Sequence, residues 1–234
     1  MKKIAFILAL TLALCAVLCA CSGSEGSPQE SVPAEEDDKG INFNAEGNEL
    51  EMKQYETTNP VVAMKIKDYG VVVVELYPDV APNTVNNFIY LVKKGFYDNN
   101  TIHRMKPDFV IQGGDPLGAG YGGPGYSIAG EFAANGFTNE LGHTEGVISM
   151  ARTEDYDSAG SQFFIMLSAK YRSSLDGKYA AFGKVIDGMD VCHEIEKIKY
   201  YNSSSGKLNQ NLTIEKMVVD TKGVDYPDPV TIPD

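Results

Sequence analysis

The sequence predicts a mostly β domain in which an antiparallel sheet closes, or nearly closes, on itself. Short segments rich in β-branched and aromatic residues (TIHRM, FVIQ, GVISMA, QFFIML, AAFGKV and LTIEKMVVD) alternate with glycine-rich turns, the pattern of a closed or nearly closed antiparallel sheet. Only two stretches carry a helical repeat. Cys192 is the one cysteine in the part expected to fold, so no internal disulfide braces it, and closing the sheet removes exposed strand edges.

The chain opens MKKIAFILALTLALCAVLCAC. Lys2 and Lys3 form a cationic head and residues 4–20 are uncharged and mostly apolar, the layout of an export signal. A membrane-spanning helix is the alternative, since about 17 to 25 apolar residues can cross a bilayer. Leu18-Cys19-Ala20-Cys21 resembles a bacterial lipobox and favours the first reading. Residues 1–20 then leave as a lipoprotein signal peptide and Cys21 becomes an acylated N-terminus. Cys15 and Cys19 follow leucines and fit less well. Acyl chains on Cys21 would hold the protein outside the cytoplasm, on the bacterial cell membrane, without a spanning helix. Losing Lys2 and Lys3 also takes the formal charge from -12 to -14, which argues against nucleic acid as a partner and against charge-driven adhesion to anionic lipid.

Residues 21–57 begin with that cysteine and continue SGSEGSPQESVPAEEDDKG, too polar to offset their ordering entropy, and read as a flexible acidic linker. Residues 58–222 are enough for one domain with one core. Residues 223–234, with three prolines, read as a C-terminal surface arm. Within the domain, VVAMKIKDYGVVVVELYP holds two β-branched runs around Asp68-Tyr69-Gly70, a hairpin signal. In APNTVNNFIYLVKKGFYD, Pro82 suits a first helical turn, Val85, Phe88, Ile89 and Val92 share one face, and Gly95 ends the helix. A second helix is expected from about Gly188 to Lys197, burying Met189, Val191, Cys192, Ile195 and Ile198. Cys192 then reads as a small core residue.

Several familiar site types fall away. Gly118, Gly120 and Gly123 match a dinucleotide fingerprint, but Pro124 and Gly125 argue against the helix it needs. No GxxxxGK[ST] is present. His103, His143 and His193 lie far apart, so no metal or other cofactor is signalled. A triad of Ser161, His143 and an aspartate lacks the G-x-S-x-G elbow.

Three stretches read together say more: TIHRMKPDFVIQGGDP (101–116), GVISMARTEDYDSAGSQFFIML (146–167) and SLDGKYAAFGKV (174–185). Their order and spacing of F-Y-x-x-x-x-I-H-R, F-x-x-Q-G-G-D, S-M-A-R-T, S-A-x-S-Q-F-F-I, L-D-G and F-G-x-V resemble the cyclophilin family of peptidyl-prolyl cis-trans isomerases, in a bacterial form, over nearly all of residues 61–220. The resemblance implies a closed eight-stranded antiparallel barrel capped by two α-helices, with a groove on its outside. It implies that Arg104 is the catalytic guanidinium and that Gln112 steadies it. Phe109, Val110, Phe164 and Leu175 would line a slot for the proline ring. Ala151, Arg152 and Gln162 would hold the flanking peptide, the backbone at Arg152 gripping the residue before proline. His103 would stand behind Arg104, and Tyr179 would keep a ring near the slot where many members have histidine. Partners would be proline-containing segments of exported or cell-envelope proteins, met by a monomer.

The residue types suit that chemistry. Twisting an X-Pro amide makes no bond, so it needs no nucleophile, metal or proton shuttle. A permanently charged donor that meets the prolyl nitrogen well only in the twisted state supplies differential binding. In isolation, Arg104 reads as a solvated strand arginine, Phe109 and Phe164 as core, and Gln112 and Gln162 as backbone partners. Strict alternation puts Phe109 and Gln112 on opposite strand faces, unless a bulge intervenes or Phe109 stands before the strand. Ser174 occupies the place of a tryptophan frequent in eukaryotic members, beside a short insertion, which implies weak cyclosporin binding at most. A non-catalytic module holding proline-containing peptides is the rival reading. A third treats the linker and arm as the working parts.

Overall fold

The structure, a computed structural model, describes residues 41–43, 49–52, 54–199 and 201–233. The stretches read as a signal peptide and, as far as residue 40, as a linker lie outside the described residues, with Cys21 among them. Within the remaining linker, β1 (Ile41–Phe43) and β2 (Glu49–Met52) pair antiparallel.

The predicted hairpin is β3 (Val61–Ile66) and β4 (Gly70–Leu76), joined by a turn in which Asp68 takes a positive φ of 65°. Helix α1 (Pro82–Lys93) starts at the expected proline and buries Val85, Phe88, Ile89 and Val92. The chain continues through β5 (Asn100–Lys106), β6 (Val110–Asp115), the two-residue β7 (Tyr126–Ser127), β8 (Val147–Met150) and β9 (Phe163–Met166). A four-residue helix α2 (Arg172–Leu175), which has no sequence signal strong enough to predict, leads into β10 (Ala181–Asp187). Helix α3 (Met189–Glu196), the long strand β11 (Lys207–Asp220) and β12 (Ile232–Pro233) complete the chain.

Eight strands close a barrel in the order β10-β4-β3-β11-β5-β6-β9-β8, with every pairing antiparallel. Closure leaves no free edge in this sheet, as expected for a domain whose Cys192 is unpaired and buried. The mostly β fold class and the eight-stranded closed barrel are as expected, with α2 an addition to the two longer helices. In the tail, β12 pairs with β7, and Asn83 and Val230 exchange side-chain-to-backbone hydrogen bonds of 3.0 and 2.8 Å.

The core fills the barrel and both longer helices contribute to it. Phe88 of α1 meets Tyr97, Phe163 and Phe182 at ring-centroid distances of 5.1, 5.7 and 5.1 Å, and all four rings are fully buried. Truncating such a ring costs about 3 to 5 kcal/mol. From α3, Val191, Cys192 and Ile195 join the same cluster. Alternation then assigns each strand two faces. On β9, Phe163 and Ile165 point into this core, while Phe164 and Met166 join a separate outer cluster with Val110, Val147, Leu175 and Ala181. That outer cluster is the base of the groove described next.

Candidate functional site

The β5–β6 hairpin sets Arg104 directly opposite Gln112, and β9 places Phe164 opposite Gln112 on the other side. Phe109 stands in the turn before β6, one of the two ways its face could match that of Gln112. Pro107 and Asp108 make the turn, Asp108 at a φ of 57°, and the Phe109 amide donates back to the Lys106 carbonyl at 3.0 Å. The left-handed step frees Phe109 from strand alternation, so it joins Val110 and Gln112 on the outer face. The two glycines after Gln112 answer to crowding: a Cβ on Gly113 would lie 2.7 Å from the Thr101 carbonyl oxygen. One on Gly114, at a φ of 87°, would lie 2.4 Å from that of Ser161.

Arg104 is held at two points. Its Nε donates to the Ser205 carbonyl at 2.9 Å and its Nη1 to Gln112 Oε1 at 2.9 Å, leaving Nη2 without a hydrogen-bond partner among the described residues. Gln112 Nε2 donates to Gln162 Oε1 at 3.0 Å and Gln162 Nε2 to the Gly122 carbonyl at 3.0 Å, so a relay of amides fixes the guanidinium from behind. Burial pushes the Arg104 pKa down from its ordinary value and the Tyr179 phenol pulls it back up. The guanidinium carbon lies 5.9 Å from the Phe109 ring centroid. Beside it opens a cavity of about 200 Å³ lined by Arg104, Phe109, Val110, Gln112, Ala151, Arg152, Phe164, Leu175 and Tyr179. Nine residues singled out in the sequence thus share one pocket. Gln162 is reached through Gln112 and lines the neighbouring cavity instead.

His103, next to Arg104 on β5, is buried, with neither ring nitrogen hydrogen-bonded within the described residues. Burial lowers its pKa, against the raising field of Asp115, with Arg104 and Lys207 lowering it further. The neighbouring cavity, about 510 Å³, runs along residues 120–127 and 151–162 and shares Gln112, Ala151 and Arg152 with the first. Its glycine-rich wall is shaped by Asp115, a fully buried carboxylate that accepts the amides of Leu117, Ala119, Gly120 and Tyr121 at 2.5 to 3.1 Å. The amides that a nucleotide phosphate would need are therefore already bonded to the protein's own anion, which disposes of the dinucleotide fingerprint.

Arg152 departs from the expected role in its side chain. Its Nε and Nη2 both donate to the Lys178 carbonyl, at 2.9 and 2.8 Å, and its Nη1 to the Thr153 carbonyl at 2.7 Å. The backbone N–H and C=O of Arg152 carry no hydrogen bond among the described residues, so the main chain there is open to an extended peptide. Under the pocket, His143 stacks on Phe164 with ring centroids 6.0 Å apart. It contacts Asp176 Oδ1 through Nδ1 at 3.0 Å and Ser149 Oγ through Nε2 at 3.1 Å. His143 and Ser149 are both fully buried, so this Asp-His-Ser row has no access to substrate. Ser161 is elsewhere, donating to the Gly114 carbonyl at 2.7 Å. Tyr171, which sequence reasoning missed, sets its ring 4.8 Å from Phe109 at the pocket rim. The insertion that carries it was visible, but nothing in its composition pointed to the groove. Among the described residues no three His, Cys, Asp or Glu side chains group to hold a metal ion.

The family model for "cyclophilin type peptidyl-prolyl cis-trans isomerase/CLD" matches residues 61–219. The peptidyl-prolyl cis-trans isomerase ppi1 of Schizosaccharomyces pombe is 42% identical over 150 residues, 64% of this chain and 92% of that protein. Isomerase B of Bacillus subtilis is 40% identical over 150 residues, 64% of this chain and 94% of its own length. A solved cyclophilin-type isomerase of Cryptosporidium parvum, crystallised in the presence of the dipeptide Ala-Pro, superposes with a TM-score of 0.60 at 32% identity. The match covers 68% of this chain and 98% of that one.

Proposed function

Because the chain belongs to the cyclophilin-type peptidyl-prolyl cis-trans isomerases, we propose that Arg104 performs the isomerisation by hydrogen bonding to the prolyl nitrogen of a twisted X-Pro bond. The uncatalysed barrier is about 18 to 20 kcal/mol because amide resonance is lost on twisting, and interconversion takes roughly tens to hundreds of seconds. As the amide twists, the prolyl nitrogen regains a lone pair, and the free Nη2 of Arg104 is a donor for it. The planar amide has no such acceptor, so the bond forms in the twisted state alone. Phe109, Phe164 and Leu175 hold the ring and keep water from the guanidinium, while the open backbone at Arg152 grips the residue before proline. A 10⁵-fold acceleration needs about 7 kcal/mol. One charge-assisted hydrogen bond gives about 1.5 to 3 kcal/mol, and ring burial, backbone grip and preorganisation supply the remainder.

The observation that carries this reading is the two-point fixation of Arg104 at the mouth of the apolar pocket. Replacing Arg104 by Ala and following isomerisation of a short X-Pro peptide by exchange NMR tests it. A loss of about 100-fold or more in kcat/KM is expected, since the group is lost outright. A rate independent of Arg104 sinks it in favour of a peptide-binding module. We further propose that Cys21 is the acylated N-terminus, holding a monomer outside the cytoplasm where exported, proline-containing polypeptides are its substrates. The apolar stretch with its lipobox-like end supports this. Mass spectrometry of the membrane-extracted protein, with Cys21→Ser as control, tests it: an unmodified mature N-terminus overturns the anchor.

A further inference from the structure

The geometry points to Arg152 as a positioning residue that acts through Tyr179, fixing that ring as a wall of the proline pocket instead of contacting the peptide with its own charge. The guanidinium carbon lies 4.6 Å from the Tyr179 ring centroid, 4.8 Å from that of Tyr156 and 5.1 Å from that of Phe132. Three rings from three loops therefore enclose one cation. Its forked donation to the Lys178 carbonyl clamps the residue just before Tyr179. Tyr179 needs such a clamp, because it sits in a bend between α2 and β10, outside any helix or strand. Left to itself the segment would sample several backbone wells, a freedom that would be lost on binding.

Tyr179 is placed where its order matters. Its ring meets Phe164 edge-on at 5.8 Å and 79°, and it lines the same pocket as Arg104. One rigid path thus runs from Arg152 through Tyr179 to Phe164, the ring at the pocket floor. The covered faces and committed donors of the guanidinium leave its charge poorly placed to meet a substrate. A lysine at this position could lie over one ring but could not make the forked donation, since it lacks the planar fork.

The inference rests on the pocket assignment above and is tested on the full mature chain with a short X-Pro peptide, through kcat and KM of wild type, Arg152→Ala, Tyr179→Ala and the double variant. Arg152→Ala is expected to raise KM about 5- to 10-fold with kcat within about twofold, the scale of one or two lost cation–π contacts. In the Tyr179→Ala background the same change should alter kcat/KM by less than about twofold, as expected when one residue acts through the other. Arg152→Lys should recover little of the loss. Equal losses in both backgrounds, or no rise in KM, overturn the proposal. Should Arg152→Ala fold poorly, Arg152→Gln replaces it, with fluorotyrosine NMR reporting on ring 179. A sharp, unshifted resonance in a folded variant also overturns it. An intact Arg152–Tyr179 coupling beside an Arg104-independent rate would sink the Arg104 mechanism alone.

Discussion

Replacing Gln112 by leucine keeps side-chain bulk at the pocket wall while removing one of the two anchors of Arg104. The lost contact is the 2.9 Å hydrogen bond from Nη1 to Gln112 Oε1; the 2.9 Å bond from Nε to the Ser205 carbonyl remains. A hydrogen bond to a charged group contributes about 1.5 to 3 kcal/mol. The site is half-open, so water recovers part of that, and we take about 1.4 kcal/mol as the net loss, or tenfold in rate. The fall should appear chiefly in kcat, because a wandering guanidinium weakens the twisted state more than the bound planar peptide. The change also strands Gln162 Oε1, which loses its 3.0 Å donor, adding about 0.5 to 1.5 kcal/mol to the stability cost. Exchange NMR on an X-Pro peptide, with thermal unfolding alongside, reads both effects. A Gln112→Leu protein that unfolds like wild type and keeps kcat/KM within about twofold refutes the view that this amide aims Arg104.

Acidification should destabilise the fold before any carboxylate titrates. Burial lowers the pKa values of His103 and His143 from the ordinary 6.5, so the unfolded chain binds more protons below that pH. Stability therefore falls as pH drops from 6.5, by up to about 1.4 kcal/mol per unit and per histidine, until the folded-state values are passed. Urea denaturation of a His193→Gln variant at pH 7 and pH 5 checks this, and a flat profile contradicts it. His193 runs the other way: Glu196 and Glu145 raise its pKa, so its contribution is complete below 6.5 and is lost as pH rises through its folded value. Asp115→Asn turns an amide group toward backbone donors; a loss of about 2 kcal/mol, or roughly 4 to 8 °C in Tm, is expected, and an unchanged Tm would show the loop holds itself. Calorimetry should find cyclosporin binding weak, because Ser174 offers a small hydroxyl bonded to the Tyr171 carbonyl at 2.7 Å where an indole wall is absent; nanomolar affinity contradicts this.

The strands and the two longer helices were legible because their apolar residues repeat with the right periods. Pro82 and Gly95 bracketed α1, and Asp68-Tyr69-Gly70 marked the first hairpin. The pocket was legible only through several motifs taken jointly, since Arg104, Phe164 and Leu175 are far apart in sequence and no local pattern joins them. What escaped depends on long-range partners. The inward turn of the Arg152 side chain requires Phe132 and Lys178 to be adjacent. The pairing of β7 with β12 joins two segments of two residues each, below the length at which alternation can be recognised. Tyr171 depends on a four-residue helix too short to show a repeat.

Because β6 and β9 send alternate residues to opposite sides of the barrel wall, the same few residues of chain carry two independent vocabularies. Ile111, Phe163 and Ile165 answer to the interior, while Gln112 and Phe164 face the outer pocket. Selection for a new client can rewrite the outward set while the inward set stays as it is. On the proposed reading, a groove open at the surface would also let a proline in the middle of a long polypeptide enter sideways, without threading a free end.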